Sequence, residues 1–452
     1  MTTADPRFAR STALQERLHA LVPGGAHTFA KGSDQYPEGM APVLVRGRGA
    51  RVWDVDGNEY VEYGMGMRAV TLGHGYPPVV EAVRAAVADG VSFTRPTELE
   101  LAAAEDFVAL VPGAEMVKFC KNASDATSAA LRLARAATGR EVVAMCSDQP
   151  YFASQDWFVG TLPMSTGVPA AVRSLVRPFP YDDLDALRAV LEAEPVAAVI
   201  LEAASAAAEP TPGYLEGVRA LCDRHGAVLV LDETITGFRW AAGGAQAVYG
   251  VTPDLSTWGK AMGNGFSVAA LAGRRDLMEL GGLRTDRPRV FLLSSTNGAE
   301  TTGLAAFRAV VRAYRETDPV ATMERQGRAL AAGVDEAVAE AGIGEFLSVG
   351  GRPSCQVFRT ADAAGRPSQA MRTLFLAEIL RRGVLGQSFV NSAAHSDADV
   401  ARTVEAVRAA TAAYRKALET GRPEELFPGR PVAPAHRLLA EPRRLPPHPT
   451  GR

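Results

Sequence analysis

Between residues 116 and 272, short apolar runs take turns with longer amphipathic ones. That alternation restricts the fold more than any other feature of the chain. Strand-like runs fall at 116–120, 141–146, 196–202, 227–232, 256–258 and 267–272, and helix-like runs at 124–138, 183–193 and 214–225. Strands separated by helices are joined by crossovers, so they align largely parallel and the helices cover both faces of the sheet. The stretch Ala227-Val228-Leu229-Val230-Leu231 is apolar without a break, as a strand buried on both faces requires. The fold class is therefore α/β, with a large, mostly parallel sheet domain.

The flanking segments have a different rhythm. An amphipathic helix is expected over 12–22, ending at Gly24-Gly25. An antiparallel meander follows, Val43–Val45, Ala50–Trp53 and Tyr60–Tyr63, with Asp56-Gly57 as a hairpin turn. A helix is expected over 78–89, and Thr97 with Glu100 forms a capping box for the next. Helices at 300–316 and 320–340 lead to a second, smaller α/β unit. Its strands lie near 346–358 and 383–387, and its helices at 368–382 and 397–417. The expected division is 1–60, an N-terminal segment packing with the small domain; 61–315, the large domain; 316–420, the small domain; and 421–452, an extended or disordered Pro/Arg-rich tail.

Composition narrows the function classes. At 452 residues, 47% hydrophobic and 22% charged, the chain has enough apolar material for more than one domain. A net charge of -3 gives neither a nucleic-acid footprint nor a basic membrane surface. Four scattered cysteines without a CxxC pair suggest no zinc site or disulfide framework, and no metal is expected. No signal peptide and no bilayer-length apolar run is found, so a cytoplasmic protein is expected.

Chemistry concentrates at the strand ends. Lys260 stands in Trp258-Gly259-Lys260-Ala261-Met262-Gly263, after a short polar strand, and Asp232 ends the most hydrophobic strand. A lysine amine and an acid facing a pyridinium nitrogen are what pyridoxal phosphate (PLP) chemistry needs. Taken alone, most lysines are solvated surface residues. A carboxylate at a strand mouth also binds metals or backbone amides, although no His or Asp cluster lies nearby. The segment Asn122-Ala123-Ser124-Asp125-Ala126-Thr127 between strand and helix suits an anion at a helix start, and equally an ordinary serine cap. Tyr151 after the next strand suits a cover for a flat ring, or simple core packing. Glu202, a second strand-end acid, suits either an orienting role or solvent.

Taken in order, Asn122–Thr127, Tyr151, Glu202, Asp232-Glu233-Thr234-Ile235-Thr236-Gly237-Phe238-Arg239, Lys260 and Ser295-Thr296 resemble the class III, fold-type I PLP aminotransferases. Val52–Asn58, Leu72-Gly73-His74-Gly75, Pro96–Glu100 and Gly243–Gln246 extend the match over about residues 20–418. The wording is most similar to the glutamate-1-semialdehyde aminomutase subgroup. The resemblance implies Lys260 as Schiff-base and proton-carrying lysine, and Asp232 at the pyridinium nitrogen. It puts the phosphate on Ala123 and Ser124, Tyr151 on the ring, and Glu202 among the cofactor contacts. Thr296 would reach the cofactor of the partner subunit in a homodimer with shared sites. Arg239 is expected to be structural.

Several positions depart from that pattern. Lys31 in Gly24-Gly25-Ala26-His27-Thr28-Phe29-Ala30-Lys31 takes the place of an arginine that binds the substrate carboxylate, and lysine lacks the planar two-point contact. Thr234 replaces a valine behind the ring, Ala203–Ala207 lacks the asparagine for the ring hydroxyl, and Tyr151-Phe152-Ala153 replaces Tyr-His-Gly. The Gly-Gly-Ala-His-Thr and Lys121–Thr127 wording is similar to members acting on nucleotide sugars and aminoglycosides. The function expected is amino transfer from an amino-acid donor to a sugar-like aldehyde or ketone, with Lys31 at the substrate. The alternative is an aminomutase, epimerase or dehydratase acting on an amino-sugar or amino-aldehyde.

Overall fold

The computed structural model describes residues 5–149 and 151–440. Its centre is a seven-stranded sheet. From edge to edge it runs Met116–Cys120, Ala269–Gly273, Leu255–Trp258, Val228–Asp232, Val196–Leu201, Val142–Cys146, Val176–Phe179. Only Ala269–Gly273 opposes the rest, pairing antiparallel with both neighbours. The other adjacent pairs are parallel. Every residue of Val196–Leu201, Val228–Asp232 and Leu255–Trp258 is buried, which is why the first two run apolar up to the acid rather than alternating.

The strand Val176–Phe179 is not among the sequence-expected ones. It carries Arg177 and Pro178, so no apolar run marks it. It lies at the sheet edge, where a proline forfeits no ladder bond.

The helix Ala123–Thr138 packs on this sheet through a face of small residues: Ala126, Ala129, Ala130 and Ala134, with Leu131 and Leu133. Alanine lets the helix axis approach the strands closely, which brings the helix start to the sheet's mouth. Asn122 caps it, its side chain accepting from the Asp125 amide at 3.0 Å. The Thr97 capping box forms in both directions and opens Glu98–Leu110.

Elsewhere the two ends of the chain share one core. Phe8, Met40, Val52 and Tyr60 cluster with Leu330, Leu374, Phe375, Val407 and Tyr414. The meander Leu44–Arg48, Arg51–Asp54, Glu59–Glu62 is completed by Val384–Leu385, which pairs parallel with Glu59–Glu62. In its turn Asp54 Oδ1 accepts from the amides of Asp56 and Asn58 at 3.0 and 2.8 Å. Gly57 adopts φ +90°, which suits glycine.

Residues 421–440 run without a long helix, yet they are packed. Phe427 and Val432 are buried in the shared core. The Val432 amide donates to Thr373 Oγ1 at 2.8 Å, the Ala433 amide to the Asp34 carbonyl at 3.1 Å, and Arg437 pairs with Asp34 at 2.7 Å. Two apolar side chains and a set of backbone bonds outweigh the Pro/Arg-rich composition. Residues 441–452, with Pro446-Pro447-His448-Pro449, lie outside the described residues.

Candidate active site

The C-terminal ends of the parallel strands open on one cavity of about 340 Å³. Such strand ends are where α/β sheets place ligands. Its wall includes Lys121, Ala123, Ser124, Tyr151, Asp232, Thr234, Gly259, Lys260 and Ala69. Five of the sequence-expected site residues, from four separate strand ends, therefore meet here.

Asp232 and Glu233 show how the strand sorts its two acids. Asp232 faces the cavity and is only 3% exposed. Its Oδ1 accepts from the Thr234 amide at 2.9 Å and from Thr257 Oγ1 at 3.0 Å. Thr257 can do this because it is the cross-strand partner of Asp232. Glu233 turns the other way and accepts from the amides of Ala245 and Gln246, both at 2.7 Å, where the Gly244–Tyr249 helix begins. It also holds the Thr236 hydroxyl. Glu233 is thus absorbed in the fold, and Asp232 is presented to a ligand. Burial raises the Asp232 carboxyl above its ordinary range, while the bond from the Thr234 amide and the Lys260 charge pull it back.

Lys260 starts a one-turn 3₁₀ helix, Lys260–Gly263, immediately after Leu255–Trp258. Its φ of +44° lies in the left-handed region that side chains avoid, a form of strain concentrated at functional sites. Asn264, also left-handed at φ +46°, pins this turn: it accepts from the Leu72 amide at 2.9 Å and donates to the Gly73 carbonyl at 3.0 Å. Burial lowers the proton affinity of the Lys260 amine, and the Asp232 charge opposes that effect. The amine is shifted toward the neutral, nucleophilic form.

At the opposite wall, Ser124 Oγ accepts from the Ser154 amide at 3.1 Å. The amides of Ala123 and Ser124 have no carbonyl one turn earlier, and they carry no partner among the described residues. They and the helix dipole form an anion-binding end. A Cβ on Gly259 would stand 3.3 Å from the Ala123 Cβ and 3.4 Å from Thr234 Cγ2, so glycine keeps this space open. Tyr151 is 45% exposed on the rim. Its ring stands 5.4 Å from Phe158 edge-on and 6.2 Å from His436 of the packed tail.

Glu202 does not line the cavity, but it is buried behind it. Gln149 holds its backbone from both sides, donating to the Glu202 carbonyl at 2.7 Å and accepting from its amide at 2.6 Å. Burial, then the Asp232 charge, push its carboxyl up to about 8. Lys31 and Thr296 are not brought to this cavity. Both are exposed, Lys31 in the Phe29–Lys31 turn and Thr296 in the turn before Thr301–Glu316. Arg239 is fully buried and donates to the carbonyls of Ser354 and Asn391 at 2.9 and 2.7 Å, a framework role. Sequence reasoning missed Thr257, Gln149 and Asn264. Only the Thr257 position was in reach, as a hydroxyl on the strand next to the acid.

The residues present fit PLP. An amine, a fixed buried acid, an anion-binding helix start and an aromatic rim share one cavity. The buried Thr234 hydroxyl in its wall has no partner among the described residues. Among those residues no cluster of His, Cys, Asp or Glu is placed to hold a metal, and no helix is long and apolar enough to cross a membrane.

The model of the aminotransferase class-III family matches residues 33–392. The chain belongs to the class-III aminotransferases. This class-III enzyme is 37% identical over 423 residues to a glutamate-1-semialdehyde 2,1-aminomutase of Syntrophobacter fumaroxidans, covering 88% of this chain and 96% of the relative. It is 38% identical over 439 residues to the enzyme of the same name from Roseiflexus castenholzii, covering 91% and 99%. The PLP internal aldimine form of the FumI protein of Sphingopyxis sp. MTA144 superposes with a TM-score of 0.83 at 29% identity, covering 91% of this chain and 98% of that one. The fold is thus that of the fold-type I PLP transferases, and the cofactor of this class-III enzyme is PLP.

Proposed function

We propose that this enzyme relocates an amino group within a small amino-aldehyde, an aminomutase-type reaction. The observation that carries the reading is the cavity pairing Lys260, shifted toward its neutral form, with the fixed carboxylate of Asp232. The aminomutase relatives, matched over nearly their whole length, direct it toward intramolecular transfer.

When bound, PLP supplies an electron sink for negative charge developing on the substrate carbon. Asp232, held at Oδ1 by Thr257 and Thr234, would keep the pyridine nitrogen protonated. The Ala123 and Ser124 amides would hold the phosphate, and Tyr151 would shield the ring at the rim. Lys260 Nζ would take the proton from one substrate carbon and return it at another. Glu202, its carboxyl pushed up to about 8, would stand by the cofactor as a second buried acid. Thr296, exposed in its turn, would serve the site of a second copy of the chain.

A second reading is transfer from an amino-acid donor to a sugar-like acceptor. Lys31 favours it, standing where the family pattern has a carboxylate-binding arginine. The relatives lend the sugar no support. Incubation of PLP-loaded enzyme with glutamate 1-semialdehyde and no other amine separates the two. Aminomutation yields 5-amino-4-oxopentanoate, and Lys260→Ala yields none. A strict requirement for an added donor, with release of a keto acid, overturns aminomutation in favour of transfer between molecules.

A further inference from the structure

We propose that the protein carries a second binding site, away from Lys260, that takes a small polyanion of the diphosphate class. The site is a cavity of about 1100 Å³ between the meander and the starts of the helices Pro77–Asp89 and Pro319–Glu340. None of its lining residues lines the Lys260 cavity, and the amino-transfer reading gives it no task.

The strand Leu44–Arg48 is exposed along its whole length and ends Arg46-Gly47-Arg48. Residues two apart on a strand share a face, so Arg46 and Arg48 stand side by side. Across the ladder Arg46 meets Trp53, with its guanidinium 4.1 Å from the centre of that ring, and Arg48 meets Arg51. Like charges directly opposite each other destabilise a sheet unless something neutralises them. Arg51 is neutralised by Asp399 at 2.8 Å and by Glu59. The guanidinium groups of Arg46 and Arg48 have no ion pair and no hydrogen bond among the described residues. One carboxylate, Asp318, stands in the wall, and its Oδ1 already accepts from the Ala321 amide at 2.9 Å as the cap of Pro319–Glu340. In a chain of net charge -3, two cations are thus left together and unmatched.

The surroundings of this pair are fixed. A Cβ on Gly47 would stand 2.8 Å from the His74 ring, so glycine lets the strand close on that ring. His74 is held in turn. Its Nε2 meets Glu62 Oε2 at 3.1 Å, and its backbone exchanges two 2.8 Å bonds with Gly49. Stacking on Trp53 keeps the Arg46 fork flat and leaves its N–H edge free. On the opposite wall Tyr76 adds a hydroxyl with no partner among the described residues. Two guanidinium forks held in place beside a hydroxyl take phosphate oxygens at several points at once, which single surface cations do not.

Pyrophosphate is titrated calorimetrically into PLP-loaded wild type, Arg46→Gln, Arg48→Gln, the double variant and Arg224→Gln, an exposed arginine of the Tyr214–His225 helix. Both site arginines are exposed, so their replacement leaves the core intact. Loss of a charge-assisted contact should weaken binding about 10-fold or more in each single variant and abolish it in the double variant, with Arg224→Gln like wild type. Wild-type affinity in the double variant overturns the proposal, as does an equal loss in Arg224→Gln or the absence of wild-type binding at about 10 mM pyrophosphate. ADP, titrated in parallel, tells the source of the diphosphate. Tighter binding than pyrophosphate supports a nucleotide, weaker binding a free diphosphate, and either supports the site.

Discussion

Glu202→Gln in the cofactor-free protein isolates the electrostatic strain of the site. The Glu202 carboxyl is shifted from an ordinary 4.5 to about 8, first by burial and then by the Asp232 charge. Between those values the folded protein holds a proton that the unfolded chain has released. Stability contributed by this group therefore falls as pH rises from about 4.5 to 8, the reverse of a salt-bridged acid. Each tenfold change in proton affinity is worth about 1.4 kcal/mol, so at pH 7 the penalty is about 3 kcal/mol, and at pH 5 it is below about 1 kcal/mol. Glutamine resembles the protonated acid in shape and carries no charge, and the Gln149 latch on the backbone is untouched. For a chain of 452 residues, about 1 kcal/mol moves the melting temperature by about 1 °C. Calorimetric melting of the two apo-proteins should therefore give equal values near pH 5 and a variant about 3 °C more stable at pH 7, with the gap levelling off above pH 8. Equal melting temperatures at every pH, or a variant less stable at pH 8 than wild type, would refute the burial argument.

Other substitutions probe the same frame. Asp232→Asn removes the charge proposed to face the ring nitrogen and should lower turnover on the order of 10²- to 10³-fold while PLP still binds, as measured by steady-state kinetics beside a cofactor titration. Asn264→Ala breaks two buried bonds and puts alanine at φ +46°, and is expected to destabilise by about 2–4 kcal/mol in denaturant unfolding of the holoenzyme. If sites are shared between two copies, mixing inactive Lys260→Ala with Thr296→Val should restore activity through hybrids. No recovery after confirmed subunit exchange would place Thr296 outside the site.

The α/β class was legible because buried parallel strands must be apolar on both faces, and Ala227–Leu231 could serve as little else. Lys260 and Asp232 were legible for a related reason. A charged residue at the end of such a strand is costly unless chemistry uses it. Thr257 and Gln149 look ordinary in the chain, because their partners lie 25 and 53 residues away and only strand order brings them together. The Pro/Arg-rich composition of 421–440 concealed Phe427 and Val432, which find their core in helices far upstream.

The sequence by itself determined the sheet and the cofactor, since those depend on local pattern and on residue types with few other uses. Tertiary structure decided the division of labour. It turned Asp232 to the cavity and Glu233 into a helix cap, and left Lys31 and Thr296 at the surface. Strand twist, cross-strand register and burial set which way a side chain points and how tightly it holds a proton, and none of these is written at any single position.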